Sequence, residues 1–288
     1  MPVPQEGAQR ASRHRSLRLV VGVTIAAVIA ATGLAAHPAP AAAAGLKVVI
    51  VVGPAGSSTS NYIYNAKKLA SQARSYGATV VELYSPHATW SRVKSAAQGA
   101  KVLIYLGHGN GYPSPYGAFN SKTKDGMGLN SSDGSTSHTY YGEYYIDRDI
   151  QMADNAVVIL NRLCYASGNN EWNAGYPTKS TAIKRVDNYG AGFLRANAKA
   201  VFAEGIDSAS YILYGLFKTN RSINQIFWSD PARDGRWDFT FASARTAGYA
   251  AAMDPLDGSN RYYRSVIGSL SLTATEWRNV IGHATASR

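Results

Sequence analysis

The chain has 288 residues, with 29 Lys and Arg against 18 Asp and Glu, and a formal net charge of +11. Its one Cys forbids an internal disulfide, which excludes a stapled secreted scaffold and leaves core burial to hold the fold. The basic residues are scattered rather than clustered, which speaks against nucleic acid and for attraction to acidic substrates or acidic cell-envelope polymers.

The chain opens with Arg10, Arg13, Arg15 and Arg18, then an apolar run over 19–36, then Pro38, Pro40 and four Ala. Charged, apolar, then small is the order of a secretory signal, with an Ala-x-Ala site at Ala42 and Ala44. Residues 1–44 are therefore expected to be a signal peptide and the protein secreted, with no membrane contact after cleavage. An uncleaved anchor is the competing reading, because the run is long enough to span. Losing the leader's four Arg and one Glu takes +11 to +8.

Residues 45–288 are expected to form a single α/β domain with a C-terminal extension from about 230. The run LKVVIVV over 46–52 reads as a strand that Gly53-Pro54 breaks. Ile63, Ala66, Leu69, Ala70 and Ala73 have helical spacing over 61–76, and Gly77 ends that helix. A strand follows over 78–84, then a short helix over 89–98 with Trp90, Val93 and Ala97 on one side. The next strand, VLIYL, runs into Gly107-His108-Gly109. Residues 110–150 are rich in Gly, Ser, Asn and Tyr without a clear period, and read as a long functional loop after His108. The GEYYIDRD run over 142–149 returns as an edge strand or a helix start. Residues 157–160 are a second buried strand, carried on through Asn161 and Arg162 to Cys164. A helix is predicted over 179–198, a strand over 200–203 ending near Glu204 and Asp207, and helices over 208–217 and 222–228. Strands alternating with helices give a mostly parallel central sheet flanked by helices.

Ligands of such sheets bind beyond the carboxyl ends of the strands. If the two strands are neighbours, an imidazole and a thiol meet there, the usual arrangement for an activated cysteine nucleophile. Apart from that pair, His108 could be a hydrogen-bonded loop residue and Cys164 a packing residue. His87, His138 and His283 lack such a context and read as surface residues, with His138 the rival base because it lies in the long loop. Asp125, Asn130 and Asp133 offer hard oxygen ligands but do not match a calcium loop, so no metal is expected. The chain has no Gly-x-Ser-x-Gly elbow, no dinucleotide loop around Gly107 and no His-Glu-x-x-His.

A buried strand ending in His-Gly, followed by a second ending in Cys, resembles the caspase-like (clan CD) cysteine peptidases: caspases, metacaspases, legumains, clostripain and gingipains. His108 and Cys164 lie 56 positions apart, and caspases place their His about 50 residues upstream of the Cys. The resemblance covers roughly 46–217. Ser167-Gly168 resembles the Cys-x-Ser-Gly of legumains, whereas the caspase Gln-Ala-Cys-x-Gly is replaced by Arg162-Leu163-Cys164-Tyr165-Ala166. The resemblance implies a caspase-like three-layer fold and a secreted cysteine endopeptidase acting on peptide or protein substrates without a cofactor. Cys164 would attack the carbonyl, His108 would shuttle the proton, and the N–H groups of Gly109 and Cys164 would hold the oxyanion. The alternative is an inactive relative that binds envelope polymers or peptides.

Arg162 stands two residues before Cys164, and on a strand that places both on one face. The resembling position in the family lines the pocket for the residue before the cut bond. Arg162, with Asp207 at the same sheet edge, is thus expected to bind substrate and to prefer acidic or polar side chains. Pairing of Arg162 with Asp207 or Glu204 would instead leave that pocket neutral.

Overall fold

Five consecutive β-branched or apolar residues in Lys47–Val52 make β1, and all five are buried because the strand runs through the middle of a sheet. The computed structural model describes residues 46–171, 174–256, 258 and 260–279. The leader, Trp172 and His283 lie outside the described residues.

After β1 come α1 (Thr59–Ser75), β2 (Thr79–Tyr84), α2 (Trp90–Ala97) and β3 (Val102–Leu106), in the predicted order. Further on are β6 (Ala156–Asn161), α4 (Lys179–Arg195), β7 (Ala198–Glu204), α5 (Ser210–Lys218) and α6 (Ile223–Phe227). The predicted helix starts have physical anchors: Thr178 accepts from the Thr181 N–H to open α4, and Ser222 with Gln225 closes a capping box on α6. One eight-stranded sheet runs β2-β1-β3-β6-β7-β10-β9-β8. Its first five strands are parallel, and β10 (Arg264–Gly268), β9 (Ala250–Met253) and β8 (Phe239–Ala242) add antiparallel. The residues beyond 230 thus complete the sheet rather than hang from it.

Alternation along β1 feeds two cores. Val49 and Val51 face one side with α2 and α4, whereas Val48, Ile50 and Val52 face the other with α1, α5, α6 and α7 (Ala274–Arg278). Each such fully buried side chain contributes about 1.5–3 kcal/mol, and both faces of the sheet are covered. Among the described residues no helix is long and apolar enough to cross a membrane.

The segment over 110–150 departs from the expected loop. It contains a hairpin, β4 (Met127–Asn130) with β5 (His138–Tyr141), and the 142–149 run forms α3 (Glu143–Asp149) rather than a strand. The hairpin is built by tertiary contacts. The Tyr105 hydroxyl accepts from the Gly128 N–H at 2.8 Å and lies 3.0 Å from the Gly128 carbonyl. Asn130 accepts from the Ala88 N–H at 3.0 Å and donates to Ser85 and to the Ser135 carbonyl. The strand order reverses between β1 and β3, where an open crevice is expected. The hairpin sits on that crevice: a Cβ on Gly53 would lie 2.0 Å from the Gly128 carbonyl oxygen. The ends of β3 and β6 lie one strand over from that crevice on the same carboxyl edge.

Candidate active site

β3 and β6 are parallel neighbours with Leu106 opposite Asn161, so the residues beyond them emerge side by side. His108 is exposed two residues past β3, and Cys164 is half-buried three residues past β6. The two strand ends touch through backbone. A Cβ on Gly109 would stand 2.0 Å from the Cys164 carbonyl oxygen and 3.0 Å from its nitrogen. Gly109 is thus required by the Cys164 backbone itself, a closer constraint than clearance for a substrate. The Gly109 N–H donates to no protein group among the described residues, whereas Ala166 N–H donates to the Cys164 carbonyl at 2.9 Å.

Several groups fix these ends. Asn161 donates to the carbonyls of Glu204 and Asp207 at 3.1 and 2.8 Å, and the Arg162 N–H donates to Glu204 at 2.7 Å. The Tyr105 hydroxyl also lies 3.0 Å from the His108 carbonyl, clamping that residue to the hairpin. Arg185 of α4 joins the two loops: it donates to Pro113 on the His108 side and to Asn169 and Asn170 on the Cys164 side, all within 2.7 Å. Ser167 is buried and donates to the Tyr262 carbonyl at 2.8 Å, so its hydroxyl is structural. No protein-family model matches the chain, and no curated protein and no solved structure matches it. The chemistry of the edge is read from its own residues.

Three side chains at this edge carry no signal in the linear pattern. His138 is one: its ring lies 4.8 Å from the His108 ring, centroid to centroid, tilted by 38°. His138 is exposed, as expected of a surface residue, and the hairpin brings its ring beside that of His108. Tyr62 of α1 is the second. Its hydroxyl donates to the Arg162 carbonyl at 3.2 Å, and its pKa is raised by burial first, then by the neighbouring Cys164 charge. Glu171 is the third, accepting from the exposed Tyr116 hydroxyl at 2.7 Å. The His108 pKa is lowered, first by partial desolvation and then by His138, with Glu171 opposing. A lowered value keeps a larger share of the imidazole neutral and able to accept a proton.

Arg162 and Cys164 do not share a strand face. β6 ends at Asn161, and Arg162 has φ +63°, a left-handed backbone that interrupts strand alternation before Cys164; Tyr165 follows at φ +69°. Arg162 still borders the edge. It lines a cavity of about 180 Å³ with Asn161, Lys68, Gln72, Ser208 and Ser210, and among the described residues its buried Nε has no hydrogen-bond partner. Among the described residues it makes no ion pair with Asp207 or Glu204. Asp207 lines a separate cavity of about 350 Å³ with Asp234 and Arg236. Asp125, Asn130 and Asp133 are dispersed: Asp125 accepts from the Tyr112 N–H, Asn130 holds the hairpin, and Asp133 pairs with His87 and Arg92 at the surface.

Proposed function

We propose that this is a secreted cysteine endopeptidase of caspase-like fold, with Cys164 as nucleophile and His108 as its proton carrier. The observation that carries the reading is the backbone contact between Gly109 and Cys164, which brings the imidazole-bearing and thiol-bearing strand ends together at the carboxyl edge of the sheet. The Cys164 Sγ attacks the scissile carbonyl carbon as its proton passes to His108. The imidazolium returns the proton to the leaving amine, and water then releases the acyl group. The Gly109 N–H, which donates to no protein group among the described residues, is a donor for the oxyanion. Ligand-binding side chains need no cofactor for this chemistry.

The test is alkylation of Cys164 by iodoacetamide as a function of pH. An ordinary thiol, with pKa about 8.5, slows about a hundredfold between pH 8 and pH 6. The paired thiol is expected to slow less than about tenfold over that interval, and His108→Ala should restore the steep profile. A steep profile in the wild type, together with retained binding to acidic polymers, would instead favour the inactive binding module.

Substrate preference follows from the 180 Å³ cavity. Its charged lining residues, Arg162 and Lys68, are both cationic, and its amides and hydroxyls can complete an anion's hydrogen bonds. Peptides with an acidic or polar residue before the cut bond are expected to be cleaved about tenfold or more faster than those with Lys or Arg, a difference near 1.4 kcal/mol. Profiling a peptide library on the wild type and on Arg162→Ala checks this; wild-type cleavage after Lys or Arg rejects it.

A further inference from the structure

His138 reaches the edge for reasons unrelated to the Cys164 strand. β4 and β5 pair with Asn130 opposite His138, at the turn end of the hairpin. Asn130 is fully buried and bonded to Ala88, Ser85 and Ser135, so that end is anchored. Gly128 forms the floor under both rings: a Cβ there would lie 3.3 Å from the His108 Cβ and 3.6 Å from the His138 Cδ2. Tyr140, on the same strand, is held through its hydroxyl by Asn110, Gly126 and Tyr189. The backbone on both sides is therefore anchored, and the two rings stand 4.8 Å apart.

We propose that His138 is a positioning residue acting through His108: the hairpin sets its ring beside the His108 ring, so that a positive charge at position 138 opposes protonation of His108. The inference rests on the proton-carrying role of His108. Two cations at this distance repel by about 1 kcal/mol even at the dielectric of water. The other charged group acting on His108 is Glu171, from the loop beyond β6, whose carboxylate also accepts from the Tyr116 hydroxyl; the Tyr105 hydroxyl holds the His108 carbonyl. Glu171 draws protons onto His108 and His138 opposes that. The consequence is that His108 stays a competent base to lower pH than a lone imidazole beside a carboxylate.

The experiment is a titration of His108 by NMR in the full chain, on the wild type, His138→Gln and His138→Lys, with thermal melts to confirm folding. His138→Gln removes the competing charge and should raise the His108 midpoint by about half a unit. His138→Lys makes the charge permanent and should leave the midpoint at or below that of the wild type. The acid limb of Cys164 alkylation should move in the same directions. A merely structural role would move both variants alike or neither, and either result overturns the inference. So does complete loss of reactivity in His138→Gln with retention in His108→Ala, which makes His138 the base. The ring titration is read without hydrolysis. Correct shifts in a protein that cleaves no peptide would leave the pair standing and remove the peptidase reading.

Discussion

Cys164→Ala is expected to abolish peptide hydrolysis, by about 10⁴-fold or more, while leaving the fold intact. The size follows from the role: without Sγ there is no covalent intermediate, and the remaining groups can only bind and polarise the carbonyl. The fold is expected to survive because Cys164 is half-buried at a strand end, whereas the cores are closed by other side chains such as Leu163 and Tyr165. The contact that ties the strand ends is made by the Cys164 backbone, which the substitution keeps. Hydrolysis of a reporter peptide, labelling by a peptide-directed thiol electrophile and a thermal melt measure the three quantities separately. Unchanged hydrolysis would reject Cys164 as nucleophile, and a collapsed melt would assign it to packing.

The parts of the fold that could be read along the chain are those that local pattern determines. β1, β3 and β6 are continuous apolar runs, and such runs are central strands whatever surrounds them. The sheet edge was legible for the same reason, and with it the two strands, β3 and β6, that lead to His108 and Cys164 and are neighbours in the sheet. What was not legible is made by tertiary contact. Met127–Asn130 and His138–Tyr141 have no alternating pattern and pair because Tyr105 and Asn130 hold them, so the approach of His138 to His108 has no local signal. Ala250–Met253 is AAAM, a composition that favours helix over strand, and it is extended because β8 and β10 pair with it on both sides. Arg162 is a non-Gly residue with positive φ, which no residue pattern announces, and the alternation argument failed there.

Arg264→Met is expected to be the most destabilising single change away from the site. Arg264 on β10 stands opposite Glu204 on β7 and is fully buried. Its guanidinium faces three carboxylates: Glu204 at 3.3 Å, Asp230 at 3.1 Å, and Asp254 in direct contact. It also donates to the Phe227 carbonyl at 2.8 Å. Asp254 in turn accepts from the N–H groups of Asp234 and Gly235. Met fills similar volume but leaves three buried acids without a cation, a change that costs about 3–5 kcal/mol, or about 10 °C in Tm for a chain of this size. The cluster already carries excess acid. Burial pushes the Glu204 pKa up to about 8, with Arg264 opposing, so the folded protein keeps this carboxyl protonated at neutral pH. The unfolded chain releases that proton near the ordinary glutamate value, about 4.3. Between those two values the folded state binds more protons than the unfolded one, so stability is full below the lower value and falls as pH rises toward 8. Glu204→Gln should flatten that slope, and Arg264→Met should steepen it, because the group opposing the upward shift is gone. The effect reaches the site through backbone: the Glu204 carbonyl accepts from Asn161 and Arg162, the residues that lead into Cys164. Melts of the wild type and both variants from pH 5 to pH 8 decide the matter. An Arg264→Met protein as stable as the wild type at pH 7 would show that the cluster is not held by its charge.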